Sequence, residues 1–175
     1  MFEIRRGMPE DAEKIIKYLK IIGTETDNLT FDGGISITVE QEREYLNMAY
    51  NSSRSLYLIA VENDEVIGCA SLDTSLRERL KHRGSLGVSV QKKAWGKHIG
   101  SRLMEELLKF AKDTARLEII MLEVRSDNER AINLYKKFGF KKLCTLEGYM
   151  KINGHINISE GLLVKWLNPF YFIVL

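Results

Sequence analysis

Apolar residues recur along this chain with two periods, near two and near 3.6 residues, and the switches between them set the order of elements. Residues 2–5 alternate apolar and charged, as a short strand does. Met8-Pro9-Glu10-Asp11 reads as a helix start, with proline in the first turn and acids at the positive end. That helix carries Ala12, Ile15, Ile16 and Leu19 on one face and weakens at Gly23. Thr38 with Gln41 three residues on predicts a capping box and a second helix to about Asn51. Residues 55–61 and 66–72 are strands around the turn 62–65, an antiparallel hairpin in which Gly68 marks a bulge or a close backbone approach. A strand over residues 84–90 precedes a strongly amphipathic helix. There Ile99, Leu103, Leu107 and Ala111 stand four apart, opposite Glu105, Glu106, Lys109 and Lys112, and the helix fades by Arg116. Residues 117–124 form an apolar strand and 125–128 a turn. Ala131, Leu134, Tyr135 and Phe138 share one face of a short helix ended by Gly139. Two last strands, 140–146 and 156–165, are joined through Gly148 to Gly154. The order β-α-α-β-β-β-α-β-α-β-β is a mixed α/β arrangement, a sheet with helices on its faces.

Composition narrows the class. At 175 residues, 45% apolar and 29% charged, the chain is expected to form a single domain, residues 1–175, with a substantial core. A net charge of +2 is too small to imply nucleic-acid binding by itself, and the basic run Arg77, Arg79, Lys81, Arg83 lacks interleaved aromatics, so no nucleic-acid partner is expected. Cys69 and Cys144 both lie in apolar, strand-like runs and are expected to be buried. With three scattered histidines they offer no metal-ligand spacing, so no metal site is expected. No apolar signal segment opens the chain, and no apolar run reaches the ~20 residues that cross a bilayer. A soluble cytoplasmic protein with no membrane partner is the expectation. The apolar end, residues 168–175, suits docking on the domain or on a second copy, a possible homodimer, or else a frayed terminus.

Chemistry concentrates in residues 86–108. A β-prone run holding Val88 and Val90 leads into a basic, glycine-containing loop, residues 91–100, and then into a helix start. Strand, basic loop and helix N-terminus together present free backbone N–H groups and a positive dipole end to an anion. A ligand bearing phosphate is the first expectation. The loop 24–36, with Glu25, Asp27 and Asp32, is either a solvated connection or one wall of a pocket for a cationic substrate.

Val88-Ser-Val-Gln-Lys-Lys-Ala-Trp-Gly-Lys-His-Ile-Gly-Ser-Arg-Leu103 resembles the acetyl-coenzyme A motif of the GNAT superfamily of N-acetyltransferases. Leu122-Glu-Val-Arg-Ser-Asp-Asn-Glu-Arg-Ala-Ile-Asn-Leu-Tyr-Lys-Lys-Phe-Gly-Phe140 resembles the second signature of the same superfamily. The resemblance implies a mostly antiparallel sheet of about seven strands, splayed between strands four and five, and acetyl-coenzyme A as cosubstrate. It implies that the edge Val88, Ser89, Val90 pairs with the pantetheine arm. Trp95, Gly96, Lys97, His98, Ile99, Gly100 and Ser101 would then hold the pyrophosphate, with Asn128 near the cofactor arm. Lys92, Lys93, Lys97 and Arg102 add charge toward the phosphates. The chain departs from the usual Gln/Arg-x-x-Gly-x-Gly/Ala pattern at two positions. Trp95 stands where glutamine or arginine is usual, and His98 where the first glycine is usual. A side chain at His98 is accommodated if its φ is negative.

Tyr135 falls at the family's general-acid position, although its place on the apolar stripe also suits a core aromatic. In the reaction implied, a primary amine of pKa ~10.4 loses its proton and attacks the thioester, a backbone N–H near Val90 holds the oxyanion, and Tyr135 protonates the thiolate. No motif marks the base. Glu25, Asp27, Glu78 and His82 are candidates, and no cysteine nucleophile is required. The reading is an N-acetyltransferase acting on a primary amine of a small molecule or a protein, with a cationic acceptor favoured by the acidic loop. The alternative is a non-catalytic module that binds acyl-coenzyme A.

Overall fold

A computed structural model describes residues 1–152 and 155–167, apart from the side chains of residues 155 and 157–160. Its elements run β1 (Glu3–Arg6), α1 (Ala12–Glu25), α2 (Val39–Tyr50), β2 (Leu56–Glu62), β3 (Glu65–Thr74), β4 (Arg83–Val90), α3 (Ile99–Asp113), β5 (Ile119–Arg125), α4 (Glu129–Lys137), β6 (Lys141–Ile152) and β7 (His155–Trp166). This is the order the periodicity predicts. The strands make one seven-stranded sheet in the order β1-β2-β3-β4-β5-β7-β6. The β4–β5 pair is parallel and the other pairs are antiparallel.

Strand alternation sends side chains to two cores. On one face Leu86, Ile120, Leu122 and Val124 meet Ile99, Leu103, Leu107 and Ala111 of α3, the stripe read from the sequence. On the other face Tyr57, Ile59 and Cys69 meet Ala12, Ile15 and Tyr18 of α1 and Leu46 of α2. Thr38 and Gln41 close the expected capping box on α2. Before α1, the Arg5 guanidinium grips Asp11 through two hydrogen bonds, the longer at 2.8 Å. Those bonds lower the Asp11 carboxyl below its usual range.

The register positions the site. β4 and β5 pair only at Arg83↔Ile119, Gly84↔Ile120 and Ser85↔Met121. Both strands then continue without pairing to each other, so the sheet opens between them from Leu86 to Val90, at the expected place. Gly68 also behaves as read. The β2–β3 register shifts beside it, and a Cβ there would stand 3.1 Å from Ile99 Cγ2.

Four local expectations are corrected. α1 does not weaken at Gly23 but runs to Glu25, because the bare Cα lets Asp32 backbone of the following loop cross 2.5 Å from where a Cβ would be. β6 does not stop near Leu146. It continues through two register shifts to Ile152, with Gly148 at φ +66. Gly148 thus lies within a strand irregularity rather than a long connection. Cys69 is buried as expected, but Cys144 is exposed, because β6 is the edge strand and most of its side chains meet solvent. The apolar end, residues 168–175, lies outside the described residues.

Candidate active site

The opening between β4 and β5 forms the floor of a groove of ≈ 1190 Å³. One wall is Val88 to Val90 and the loop into α3; the other is Glu123, Val124 and the start of α4; residues of the α1–α2 loop form a rim. Arg125 at the end of β5 donates to the Asp27 carbonyl at 3.1 Å, tying that rim to the β5 wall.

The strand edge comes first. Leu86 to Val90 have β3 on one side and no β5 partner on the other. Backbone groups of an open strand edge seek partners, so an extended arm can add there as a strand would. Val88 and Val90 pack toward the α3 core. The Ser89 hydroxyl lies 2.8 Å from the Tyr18 hydroxyl, so Ser89 offers the groove its backbone rather than its side chain.

The loop comes next. A 3₁₀ turn, Lys92–Ala94, leads to Trp95, and α3 starts at Ile99. The N–H of Arg102 donates to the His98 carbonyl at 3.1 Å, the first helical bond of α3. The N–H groups of Ile99, Gly100 and Ser101 precede it and are free to meet an anion. Gly96 and Gly100 keep the approach bare. A Cβ on Gly100 would turn toward Leu134 Cδ2 and Val90 Cγ2, at 3.4 and 3.9 Å. Gly96 has φ +81 and His98 φ +60. The condition set for His98, a negative φ, is not met: the chain turns through the left-handed region as it enters α3, and here a histidine bears that strain. The Ile99 side chain is buried in the core, so only its backbone faces the groove.

The expected loop cations are corrected as well. Lys93 pairs with Glu65 at 2.7 Å and Lys97 with Glu62 at 2.6 Å, so both side chains turn to the β2–β3 turn. The Arg102 guanidinium lies 4.8 Å over the Phe2 ring. Lys92, Lys93, Lys97 and Arg102 are all absent from the groove lining among the described residues.

Tyr135 lines the groove from α4 and is 5% exposed. Burial pushes its phenol up to about 12. Asn128 caps α4, its Oδ1 accepting from the Ala131 N–H at 3.2 Å. Glu25, a candidate base, instead accepts the Lys92 N–H at 2.8 Å and holds the turn beneath the loop. Asp27 shares the α1–α2 loop that lines the groove through Thr26, Asn28, Leu29 and Phe31. His82 precedes β4 at its closed end, where its carbonyl accepts from Glu118 and Ile119, and Glu78 starts the short turn before it. None of the four lines the groove among the described residues.

The carboxylate that the sequence reading passed over is Glu123. It follows the last β4–β5 pair, faces away from the α3 core, and accepts a hydrogen bond from the Tyr149 hydroxyl. It lines both the groove and an adjoining cavity of ≈ 360 Å³ that also holds Asp73, Arg83 and Ser85. Alternation along residues 119–125 was the available signal: Ile120, Leu122 and Val124 face the core, so Glu123 faces outward.

No described helix is long and apolar enough to cross a membrane, and no described cluster of His, Cys, Asp and Glu has a metal-binding arrangement.

Comparison with known proteins agrees with this geometry. A curated relative from Escherichia coli K12, the L-amino acid N-acetyltransferase AaaT, is 32% identical over 97 residues, which span 55% of this chain and 60% of that protein. An N-alpha-acetyltransferase from Sulfurisphaera tokodaii is 29% identical over 160 residues, 85% of each chain. The crystal structure of a GNAT-family acetyltransferase from Streptococcus pneumoniae superposes with a TM-score of 0.91 at 30% identity, covering 96% of this chain and 100% of that one. A model of the acetyltransferase (GNAT) family matches residues 26–140, which hold the splayed strands, the loop and α4, and the chain belongs to that family of acetyl-coenzyme A-dependent N-acetyltransferases.

Proposed function

We propose that the β4–β5 groove holds acetyl-coenzyme A and that an amine reaches it from the face carrying Glu123, with Tyr135 and Glu123 as the proton-handling pair. One observation carries this reading: the open β4 edge, the bare helix start of α3 and the buried Tyr135 phenol all line one groove. Bound there, acetyl-coenzyme A supplies the activated thioester.

The residues divide the work by their surroundings. The backbone from Val88 to Val90 orients an extended arm, and the N–H groups of Ile99, Gly100 and Ser101 meet negative charge. With its phenol at about 12, Tyr135 keeps its proton across the working range. It holds that proton at Oη for the departing sulfur, the state a general acid needs. Glu123 accepts a proton from the incoming ammonium, whose pKa is about 10.4 for a primary alkyl amine. Glu25 acts by holding the Lys92 turn, and His82 takes no part.

The acceptor is a primary amine on a small molecule or a protein N-terminus. The carboxylates Glu123 and Asp73 beside the adjoining cavity favour a cationic one. The free cysteines Cys69 and Cys144 suit a reducing compartment, which favours the cytoplasm. Following thiol release from acetyl-coenzyme A across a panel of amino acids, polyamines and peptides tests the reading. We expect turnover with at least one class, and Tyr135→Phe to lower kcat by about 100-fold. Cofactor binding without transfer to any amine, and no effect of the substitution, would leave a binding module instead.

A further inference from the structure

The phosphate loop lacks the side-chain cations the sequence promised it. Lys93, Lys97 and Arg102 are held at Glu65, Glu62 and the Phe2 ring. Among the described residues that line the groove, Arg130 is the one arginine or lysine. It comes from α4, the wall opposite the loop. Its guanidinium lies over the Trp95 ring, 4.0 Å from the centroid. It has no carboxylate partner among the described residues, and the nearby Asp127 is already held by Arg125 at 2.6 Å.

Trp95 is itself anchored. Its indole Nε1–H donates to the Val90 carbonyl at 2.8 Å, so the ring is pinned to the last residue of the open strand. It stands where the family pattern has glutamine or arginine. A guanidinium stacked flat on an aromatic ring keeps its N–H edges free, and those edges match phosphate oxygens in pairs. The stack at an exposed site is weak by itself, so its value is orientation rather than binding energy.

We propose that Trp95 and Arg130 act as one unit: Trp95 is a positioning residue, and Arg130 donates to the diphosphate of coenzyme A, supplying from α4 the cation that the loop does not. This rests on the groove being the coenzyme A site. It accounts for the tryptophan and for the diversion of the loop lysines together.

Calorimetric titration of the full chain tests it, with three ligands: coenzyme A, dephospho-coenzyme A without the 3′-phosphate, and pantetheine without any phosphate. Arg130→Gln is expected to weaken the first two by about tenfold, the size of one charge-assisted hydrogen bond, and to leave pantetheine unchanged. Trp95→Leu is expected to weaken the same two ligands, Trp95→Phe less so, and Trp95→Leu to add little once Arg130→Gln is present. Arg130 is exposed, so its variant is expected to melt like the unmodified chain. Equal losses for all three ligands, a loss confined to coenzyme A, or no loss at all would each overturn the assignment. If the unmodified chain binds none of the three ligands, the coenzyme A site itself is wrong, an outcome distinct from binding that ignores Arg130.

Discussion

The two ends of β4 are built from the same strand and serve opposite purposes. At Gly84 and Ser85 the strand is paired on both edges, to β3 and to β5. Gly84 there is wedged between side chains: a Cβ would meet Leu72 Cδ1 and Leu117 Cδ1, each at 2.8 Å. From Leu86 to Val90 the β5 edge is open, and the loop beyond it carries two residues at positive φ. The closed end has a strand on either side, so that end contributes stability. The open end leaves groups for a ligand and accepts backbone strain. A single change of pairing turns a doubly paired strand into an open edge.

Gly84→Val is the strongest way to break this comparison. Overpacking at the closed end is expected to destabilise the fold by about 3 kcal/mol, read by chemical denaturation. Activity loss with stability intact would refute the division between the two ends. Glu123→Gln lies just past the last β4–β5 pair, so the expectation inverts: an unchanged melting temperature and kcat down about 100-fold near neutral pH. The deficit is expected to narrow as pH approaches the amine pKa of ~10.4, because the acceptor then loses its proton unaided.

Glu42 sharpens the comparison from behind the open end. It is 5% exposed, its Oε1 has no partner among the described residues, and burial raises its carboxyl pKa. Its charge reaches Cys69, the β3 partner of Ser89. A raised folded pKa means the folded state binds the proton more tightly. Stability therefore falls as pH rises through the unfolded carboxylate value of ~4.3 toward the folded one. Glu42→Met is expected to stabilise the chain by about 1 kcal/mol at pH 7, with the gain fading near pH 4, as followed by thermal melts across pH. His98→Gly has the smallest expected effect. Removing a side chain at φ +60 relieves about 1 kcal/mol of strain and raises the melting temperature by a few degrees. A fall would mean that the loop is not strained at that position.

Element order and the strand, loop and helix start that line the groove were legible in the linear chain, because periodicity, caps and turn residues act over a few neighbours. Ile99, Leu103, Leu107 and Ala111 face the core as their spacing requires, and the Thr38 capping box closed as read. The splay and Tyr135 were legible only through family resemblance, since neither follows from local pattern.

Tertiary structure decided where the charges point. Lys93 and Lys97 belong to the loop in sequence but to Glu65 and Glu62 in space, because the β2–β3 turn projects beside them. Glu25 became a brace for Lys92, and His82 fell at the closed end of β4. Glu123 entered the groove because the β4–β5 register ends two residues before it, at Met121. The sequence determined by itself which segments are helix and strand and which loop leads into the groove. The register between distant strands decided which side chains meet there, because ion pairs and pairing edges join residues that no local spacing relates.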